Sequence, residues 1–204
     1  AAFLCTLLAL IINFSIRYKT NNLLKFLSSF LTVGYAVPGL ILAIGVMRLL
    51  TFLDRNFTIE MFNLVLTGSL IGLMMAYIIK SYALSSSTFD AGFERISPRI
   101  DDVARSLKTS GWNLLSKVHV PLLKTSFLTS MLLVVAEVIK ELPATLILRP
   151  FNFDTLAVST YIYAAEERMY DAAAPSISIV LVGLIPIIIL TRLIRTSRPA
   201  NRDN

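Results

Sequence analysis

Three ionisable residues, Glu137, Lys140 and Glu141, lie in an otherwise apolar stretch just before Pro143. On a continuous helix Glu137 and Glu141 would share one face, with Lys140 beside both. Charged groups inside an apolar helix are costly and usually face a partner or a wet cavity. Two interpretations stay open: a local ion pair that fixes a helix break at Pro143, or a carboxylate that lines a path for a cation.

Other combinations of residues that perform chemistry are absent from the sequence. There is no Ser/His/Asp or Cys/His set for nucleophilic catalysis, and no G-x-x-x-x-G-K-[ST] loop to bind ATP phosphates. His119 and Cys5, each the only one of its type, have no companions that would complete a metal site. We therefore expect no catalytic residue, no metal ligand and no cofactor.

The composition is that of a membrane protein. Of the 204 residues 55% are apolar and only 16% are charged, with a mean hydropathy of +0.71. The expected fold is all-α, a polytopic transmembrane helical bundle. Runs of about 20 apolar residues predict five spans, at about 1–16, 34–53, 61–84, 125–148 and 174–194.

The distribution of lysine and arginine predicts the orientation of these spans. Most of the 19 basic residues fall in segments 17–25, 80–124 and 192–204. By the positive-inside rule the 80–124 loop is cytoplasmic and the 149–173 loop is outside. The sequence pI of about 9.6 then reflects topology, and no nucleic-acid partner is expected.

Residues 97–121 form a polar stretch with the pattern of two short helices. Ser97 and Pro98 begin the first as a predicted Ser cap with Pro in the first turn, and Asp101 and Asp102 follow near its positive end. An apolar stripe is predicted at Ile100, Val103, Ala104 and Leu107. Thr109-Ser110-Gly111 is a predicted turn in which Ser110 caps the second helix. Trp112, Leu115 and Val118 are predicted to share one face of that helix, and the helix ends near Pro121.

Read alone, this stretch has the pattern of a DNA-binding helix-turn-helix. Its context argues against that interpretation. The flanking spans leave no room for a further packing helix, few side chains of the second helix suit base edges, and phosphates would repel Asp101 and Asp102.

The same stretch resembles the EAA loop of ABC importer permeases, E-A-A-x-x-x-G, nine residues, then I-x-L-P. Asp102-Val103-Ala104 stand at the E-A-A positions, Val118, Val120 and Pro121 match the later ones, and Lys108 replaces the glycine. A glycine there allows a left-handed turn, so Lys108 either adopts a strained conformation or lets the helix continue. The residues that the resemblance assigns to contact with the ATPase are Asp102, Val103, Ala104, Leu107, Lys108, Gly111, Trp112, Val118 and Pro121.

Three further segments, 140–157, 35–46 and 175–190, resemble ferric-iron importer permeases. This resemblance implies a transmembrane domain over residues 1–204 of a bacterial inner-membrane protein, most of a C-terminal half whose first span is missing. It implies as partners cytoplasmic ATPase subunits, a periplasmic substrate-binding protein, membrane lipid, and another permease half or copy. No enzymatic activity of its own is expected.

Two alternatives stay open. One is an ABC permease for another substrate, such as thiamine, a phosphonate, a polyamine or an oxyanion. The other is an ion-coupled secondary carrier with Glu137, Lys140 and Glu141 as its relay. The loop residues Tyr161, Tyr163, Glu166, Glu167 and Asp171 are candidate oxygen contacts for ferric iron or a surface for the binding protein.

Overall fold

The computed structural model describes residues 1–19, 22–56 and 66–197. Within these ranges the ordered elements are all helical, which confirms the predicted all-α class. The helices are α1 (Ala2–Tyr18), α2 (Asn22–Val33), α3 (Gly39–Asn56), α4 (Leu70–Glu94), α5 (Pro98–Ser106), α6 (Trp112–Leu114), α7 (Val120–Leu122), α8 (Lys124–Ile139), α9 (Pro143–Leu148), α10 (Leu156–Ala165) and α11 (Met169–Ser197). A π-helical turn, Leu115–His119, joins α6 to α7.

Helix α4 is the centre of the bundle and packs against α1, α2, α3, α8 and α9. It begins where the Ser69 hydroxyl accepts a bond from Ile71 N at 3.2 Å. Small residues allow its neighbours to approach closely: a Cβ on Gly92 would lie 2.5 Å from Ser126 Oγ, and one on Gly72 would lie 2.6 Å from Leu50 Cδ1.

The second predicted span, 34–53, becomes helical only at Gly39, and the preceding helix α2 was not predicted. Helix α2 occupies residues that the sequence analysis assigned partly to a loop, and turns at 34–38 separate it from α3. At Gly34 an added Cβ would lie 2.8 Å from the carbonyl oxygen of Ile79, so α2 can meet the α4 backbone only without a side chain there. Pro38 then lies immediately before α3, where its missing N–H removes no helical bond.

The fourth predicted span is also broken, as Pro143 suggested. Helix α8 ends at Ile139 and α9 begins at Pro143. Glu141 therefore lies outside both helices, and the prediction that it shares a helix face with Glu137 is wrong. The missing N–H of Pro143 is tolerated because the residue stands in the first turn of a new helix.

Helices long and apolar enough to cross a membrane are present. Among the described residues, α4 and the 169–193 part of α11 meet this description individually, and 112–122 with 124–139 do so only as a pair bent by 77°. Helices α1, α2 and α10 are shorter apolar helices. The bend, at Leu123, turns the end of the predicted coupling stretch away from α8.

Basic residues cluster at one end of the bundle, which we call the basic end; it contains the C-terminus of α1, the N-terminus of α2 and residues 94–124. The prediction placed Lys80 in this group, but Lys80 lies in the middle of α4 with its side chain only 17% exposed. Its removal from the group leaves the charge asymmetry intact, so the predicted orientation still follows from the positive-inside rule.

Orientation can be tested with single cysteines. Asn56, at the end of α3, and Ser110, at the basic end, are both exposed, whereas the native Cys5 is fully buried. We expect Asn56→Cys in intact cells to react with an impermeant maleimide and Ser110→Cys to react only after permeabilisation. The reverse labelling pattern would invert the assigned topology.

Candidate docking site at the basic end

Helix α5 has one exposed apolar face. Ile100, Val103 and Leu107 are 38%, 59% and 74% exposed, and Trp112, just beyond the turn, is 69% exposed. These four residues, called the docking set below, include three of the predicted coupling residues. Exposed apolar side chains at the end of a bundle that carries the charges indicate a surface for a protein partner.

The opposite face of α5 packs on the bundle. Ala104 is only 7% exposed and belongs to the main core together with Leu114 and Leu115. Ala104 was predicted to share the apolar stripe that contacts the partner, and this is wrong: three residues beyond Asp101, it falls on the inner face of α5. A bulky residue at this position would displace α5 from the bundle.

A buried arginine fastens α5 to the ends of α1 and α4. Arg17 donates from Nε to Asp101 Oδ2 at 2.8 Å, from Nη1 to the Phe93 carbonyl at 2.7 Å and from Nη2 to the Ile96 carbonyl at 2.9 Å. The side chains of Arg17 and Asp101 are only 18% and 14% exposed. One guanidinium thus joins three segments through a planar set of donors that a lysine cannot reproduce.

His119 lies beside this network and is completely buried. Its ring contacts Phe14 and Phe93, with centroids 5.3 and 5.4 Å away. Nε2 lies 2.9 Å from Asp101 Oδ1, although neither atom has a partner in hydrogen-bonding geometry among the described residues. Burial lowers the pKa of His119 from its usual value and Asp101 opposes the shift, so the ring is mainly neutral at pH 7. We call Arg17, Asp101 and His119 the anchor.

The sequence analysis did not identify the anchor. Asp101 was assigned only to the helix dipole and His119 was treated as a lone residue. Arg17 and Asp101 are 84 positions apart, and a single sequence carries no signal that connects them. The proximity of His119 to the I-x-L-P positions was the one available indication.

The turn after α5 adopts left-handed backbone at two positions. Lys108 has φ 59°, and Gly111 has φ 54° with ψ −128°, a region that is essentially reserved for glycine. Lys108 therefore adopts the conformation that the family's glycine allows, and the helix does not continue. The predicted cap at Ser110 is wrong, because Gly111 occupies that position and no side chain caps α6. Ser97 precedes α5 as predicted, but its side chain makes no capping bond.

Lys108 gives a direct stability prediction. An L-residue in the left-handed region costs roughly 1 kcal/mol. We therefore expect Lys108→Gly to raise the melting temperature of the detergent-solubilised protein slightly, and Lys108→Val, with a β-branched side chain, to lower it. Equal melting temperatures for the two variants would show that this turn is unstrained or not formed in solution.

The second helix of the predicted coupling stretch does not place Trp112, Leu115 and Val118 on one face. Leu115 is 3% exposed and Val118 packs against the core, but Trp112 points away from both. The π-helical turn at Leu115–His119 alters the 3.6-residue periodicity on which that prediction rested. Of the remaining predicted coupling residues, Asp102, Lys108 and Pro121 are exposed and Gly111 is partly exposed.

The charged residues at the α8–α9 break form two separate pairs. Lys140, 65% exposed, bonds Glu137 at 3.0 Å, whereas Glu141, 6% exposed, bonds Lys80 of α4. The local ion pair that the sequence left open therefore joins Lys140 to Glu137, and Lys80 is a partner of Glu141 that was not predicted. The contribution of Glu137, Lys140 and Glu141 to a permeation path stays a prediction.

The predicted loop contacts lie beyond α9, but most of them are helical. Tyr161 and Tyr163 belong to α10 and Asp171 to α11, which leaves Glu166 and Glu167 between the two helices. Glu166 and Asp171 both pair with Arg168, at 3.4 and 2.8 Å. Tyr161 is 48% exposed, and Tyr163 stacks under the Arg168 guanidinium at 4.9 Å. Over the described residues, no group of three or more His, Cys, Asp or Glu side chains is arranged to hold a metal ion.

Comparisons with known proteins agree with this architecture. The chain is 28% identical over 169 residues to the putative 2-aminoethylphosphonate transport system permease protein PhnV of Salmonella typhimurium. The aligned residues make up 83% of this chain and 60% of that protein. It is 24% identical over 159 residues to the Fe(3+)-transport system permease protein FbpB 2 of Haemophilus influenzae, and this alignment includes 78% of this chain and 29% of that protein. The chain thus spans 60% of the length of the first relative and 29% of the second.

A solved structure has the same fold. A chain from the bacterial alginate ABC transporter, solved in complex with an alginate pentasaccharide-bound periplasmic protein, superposes with a TM-score of 0.66 at 16% identity, over 94% of this chain and 71% of that one. The family model described as binding-protein-dependent transport system inner membrane component matches residues 5–202. The chain therefore belongs to the family of inner-membrane components of binding-protein-dependent transport systems, the permeases of ABC importers.

Proposed function

We propose that this permease moves its cargo into the cytoplasm with energy from a separate ATPase that docks on α5 and Trp112. The observation that supports the proposal most strongly is the exposed docking set on a helix that the anchor holds rigidly. A partner that binds such a helix can push or pull the bundle, because the anchor connects α5 to α1 and α4 through Arg17.

The docking set has the character of an interface centre. Trp112 is a large amphipathic ring, the residue type most enriched among binding hot spots. Leu107 and Val103 supply apolar area beside it, while Asp102, Arg105 and Lys108 are exposed around them. An apolar centre with a charged rim is the usual arrangement of a transient protein interface.

The opposite end of the bundle would receive a cargo-loaded binding protein. Phe151 and Tyr170 there are 94% and 98% exposed, and the predicted contact residues Tyr161 and Glu167 are exposed nearby. A second permease half or copy would complete the pathway. Support for these partners comes from the family and from the complex in which the related fold was solved.

Ferric iron is the proposed cargo. The support is the resemblance of residues 140–157 to ferric permeases, together with the Fe(3+) permease among the relatives. A second candidate is 2-aminoethylphosphonate, favoured by relatives that the chain matches over a larger part of their length. Both cargoes are strongly charged, so apolar substrates are not proposed.

Uptake into proteoliposomes tests the proposal. The complete importer is reconstituted with its ATPase, and binding protein loaded with either ⁵⁵Fe(III) or radiolabelled 2-aminoethylphosphonate is added. We expect iron to enter the liposomes only when ATP is supplied on the side of the membrane that carries the ATPase. Uptake of the phosphonate alone would transfer the proposal to the second cargo, and uptake of either cargo without ATP would refute coupling to an ATPase.

A further inference from the structure

An ion pair between α4 and the α8–α9 break lies inside the bundle, next to the start of α3. Lys80, in the middle of α4, donates to Glu141 Oε2, and the side chains are 17% and 7% exposed. Glu141 lies in the break between α8 and α9, and Gly39 begins α3 directly after the turns at 34–38. Two helix breaks therefore meet the same two charges.

Glu141 is fixed through both its side chain and its main chain. Its Oε1 accepts from Ala144 N at 3.2 Å, and its carbonyl accepts from Thr145 Oγ1 at 2.7 Å. The Thr145 hydroxyl also meets Tyr77 OH, one turn from Lys80 on α4, at 2.6 Å. The break between α8 and α9 is thus bound to α4 at two points.

The backbone at Gly39 packs directly against the ion pair. A Cβ on Gly39 would lie 2.6 Å from Glu141 Oε1 and 3.2 Å from Lys80 Nζ. A side chain at this position would displace the Glu141 carboxylate from its present place. The α2–α3 break is thereby placed against the same ion pair.

The two helices joined by this pair are those that flank the docking site. Helix α4 ends at Glu94, just before α5, and α8 begins at Lys124, just after α7. Lys80 lies 14 residues before the end of α4, about 21 Å along the axis at 1.5 Å per residue. Helix α4 is therefore linked to α8 twice: at the basic end through the docking segment, and deeper in the bundle through the ion pair just beyond the end of α8.

We propose that Lys80 and Glu141 are positioning residues that transmit the arrangement of α3 and α9 to the docking site. The proposal rests on the proposed function, because it assumes ATP-driven import. An apolar pair of similar volume is often as stable as a buried ion pair, so stability alone does not explain two charges here. A charged pair with fixed partners selects one arrangement of the two breaks, and a binding protein acting on the outer half can then be sensed at α5.

The test uses the reconstituted importer and five variants. Lys80→Met and Glu141→Gln should each lower binding-protein-stimulated ATP hydrolysis and uptake roughly tenfold, the size of a 1.4 kcal/mol coupling energy, while ATPase assembly is retained. The apolar double variant Lys80→Met/Glu141→Met should fold as stably as wild type and still respond poorly. The charge-swapped Lys80→Glu/Glu141→Lys should recover much of the response. Arg48→Met, which removes an exposed charge of α3 outside every proposed site, is the control and should behave as wild type.

Three results would overturn the proposal: a wild-type response in Glu141→Gln, a wild-type response in the apolar double variant, or a charge swap no better than the single variants. Melting temperatures of all variants separate a folding defect from a loss of response. Wild-type importer is measured first. If it shows no ATP-driven uptake, the proposed function fails; if it is active and the variants match it, only the role of the ion pair fails.

Discussion

Asp101→Ala is expected to destabilise the basic end of the bundle by about 3 kcal/mol, because removing one partner of a buried ion pair leaves the other charge uncompensated. Arg17 would keep its two carbonyl partners but lose its carboxylate, and α5 would lose its ion pair with α1, while the weaker contact of Arg105 with Tyr18 would remain. We expect a melting temperature several degrees below wild type and faster proteolysis between residues 97 and 111. Asp101→Asn, which preserves an acceptor for Arg17, should show a smaller effect.

Arg168→Ala is the matched control for the anchor. Arg168 also contacts two carboxylates, but its side chain is 53% exposed, and exposed ion pairs contribute little to stability. If Asp101→Ala and Arg168→Ala change the melting temperature equally, the anchor does not exist in the form described.

Leu107→Asp is expected to abolish co-purification of the ATPase without unfolding the permease. Leu107 is 74% exposed, so the free permease loses almost no buried area when the side chain becomes polar. In a complex the same carboxylate would be desolvated at the centre of an apolar interface. Trp112→Ala should weaken the complex by about 2 kcal/mol, or roughly 30-fold in Kd.

Phe151→Ala provides the control for the docking set. Phe151 is an even more exposed aromatic residue, at 94%, but lies beyond α9 at the opposite end of the chain's spans. ATPase co-purification should be unchanged in this variant. Normal assembly of the Leu107→Asp protein would remove α5 from the interface and contradict the proposed docking.

The sequence predicted the elements that follow from local pattern. Apolar length located α1, α3 and α11 within about five residues and the start of α8 within one, and Ser97-Pro98 located the start of α5. Helix α4 runs from Leu70 to Glu94 instead of the predicted 61–84, of which 61–65 lie outside the described residues. The break before Pro143 was foreseen because proline cannot continue a helix. These features depend on neighbours along the chain, so one sequence contains the information.

The contacts that depend on distant residues were not predictable in this way. Lys80 was included in the third predicted span but counted with the basic residues of the cytoplasmic loop, whereas its partner Glu141, 61 positions away, keeps it inside the bundle. The exposed and buried sides of α5 were assigned from one stripe, but Arg17 and His119 determine which side faces the bundle. The π-helical turn likewise shifts Trp112 from its expected face, and nothing in the local residue pattern marks that insertion.

Site-specific photo-crosslinking tests the central claim most directly. A photoreactive amino acid is placed at position 107 in the complete importer, and in parallel at position 151 as the control. We predict that position 107 crosslinks to the ATPase with a yield that depends on the nucleotide state, and that position 151 does not crosslink to it. A crosslink from position 151, or an assembled and active importer with none from position 107, would contradict docking of the ATPase on α5.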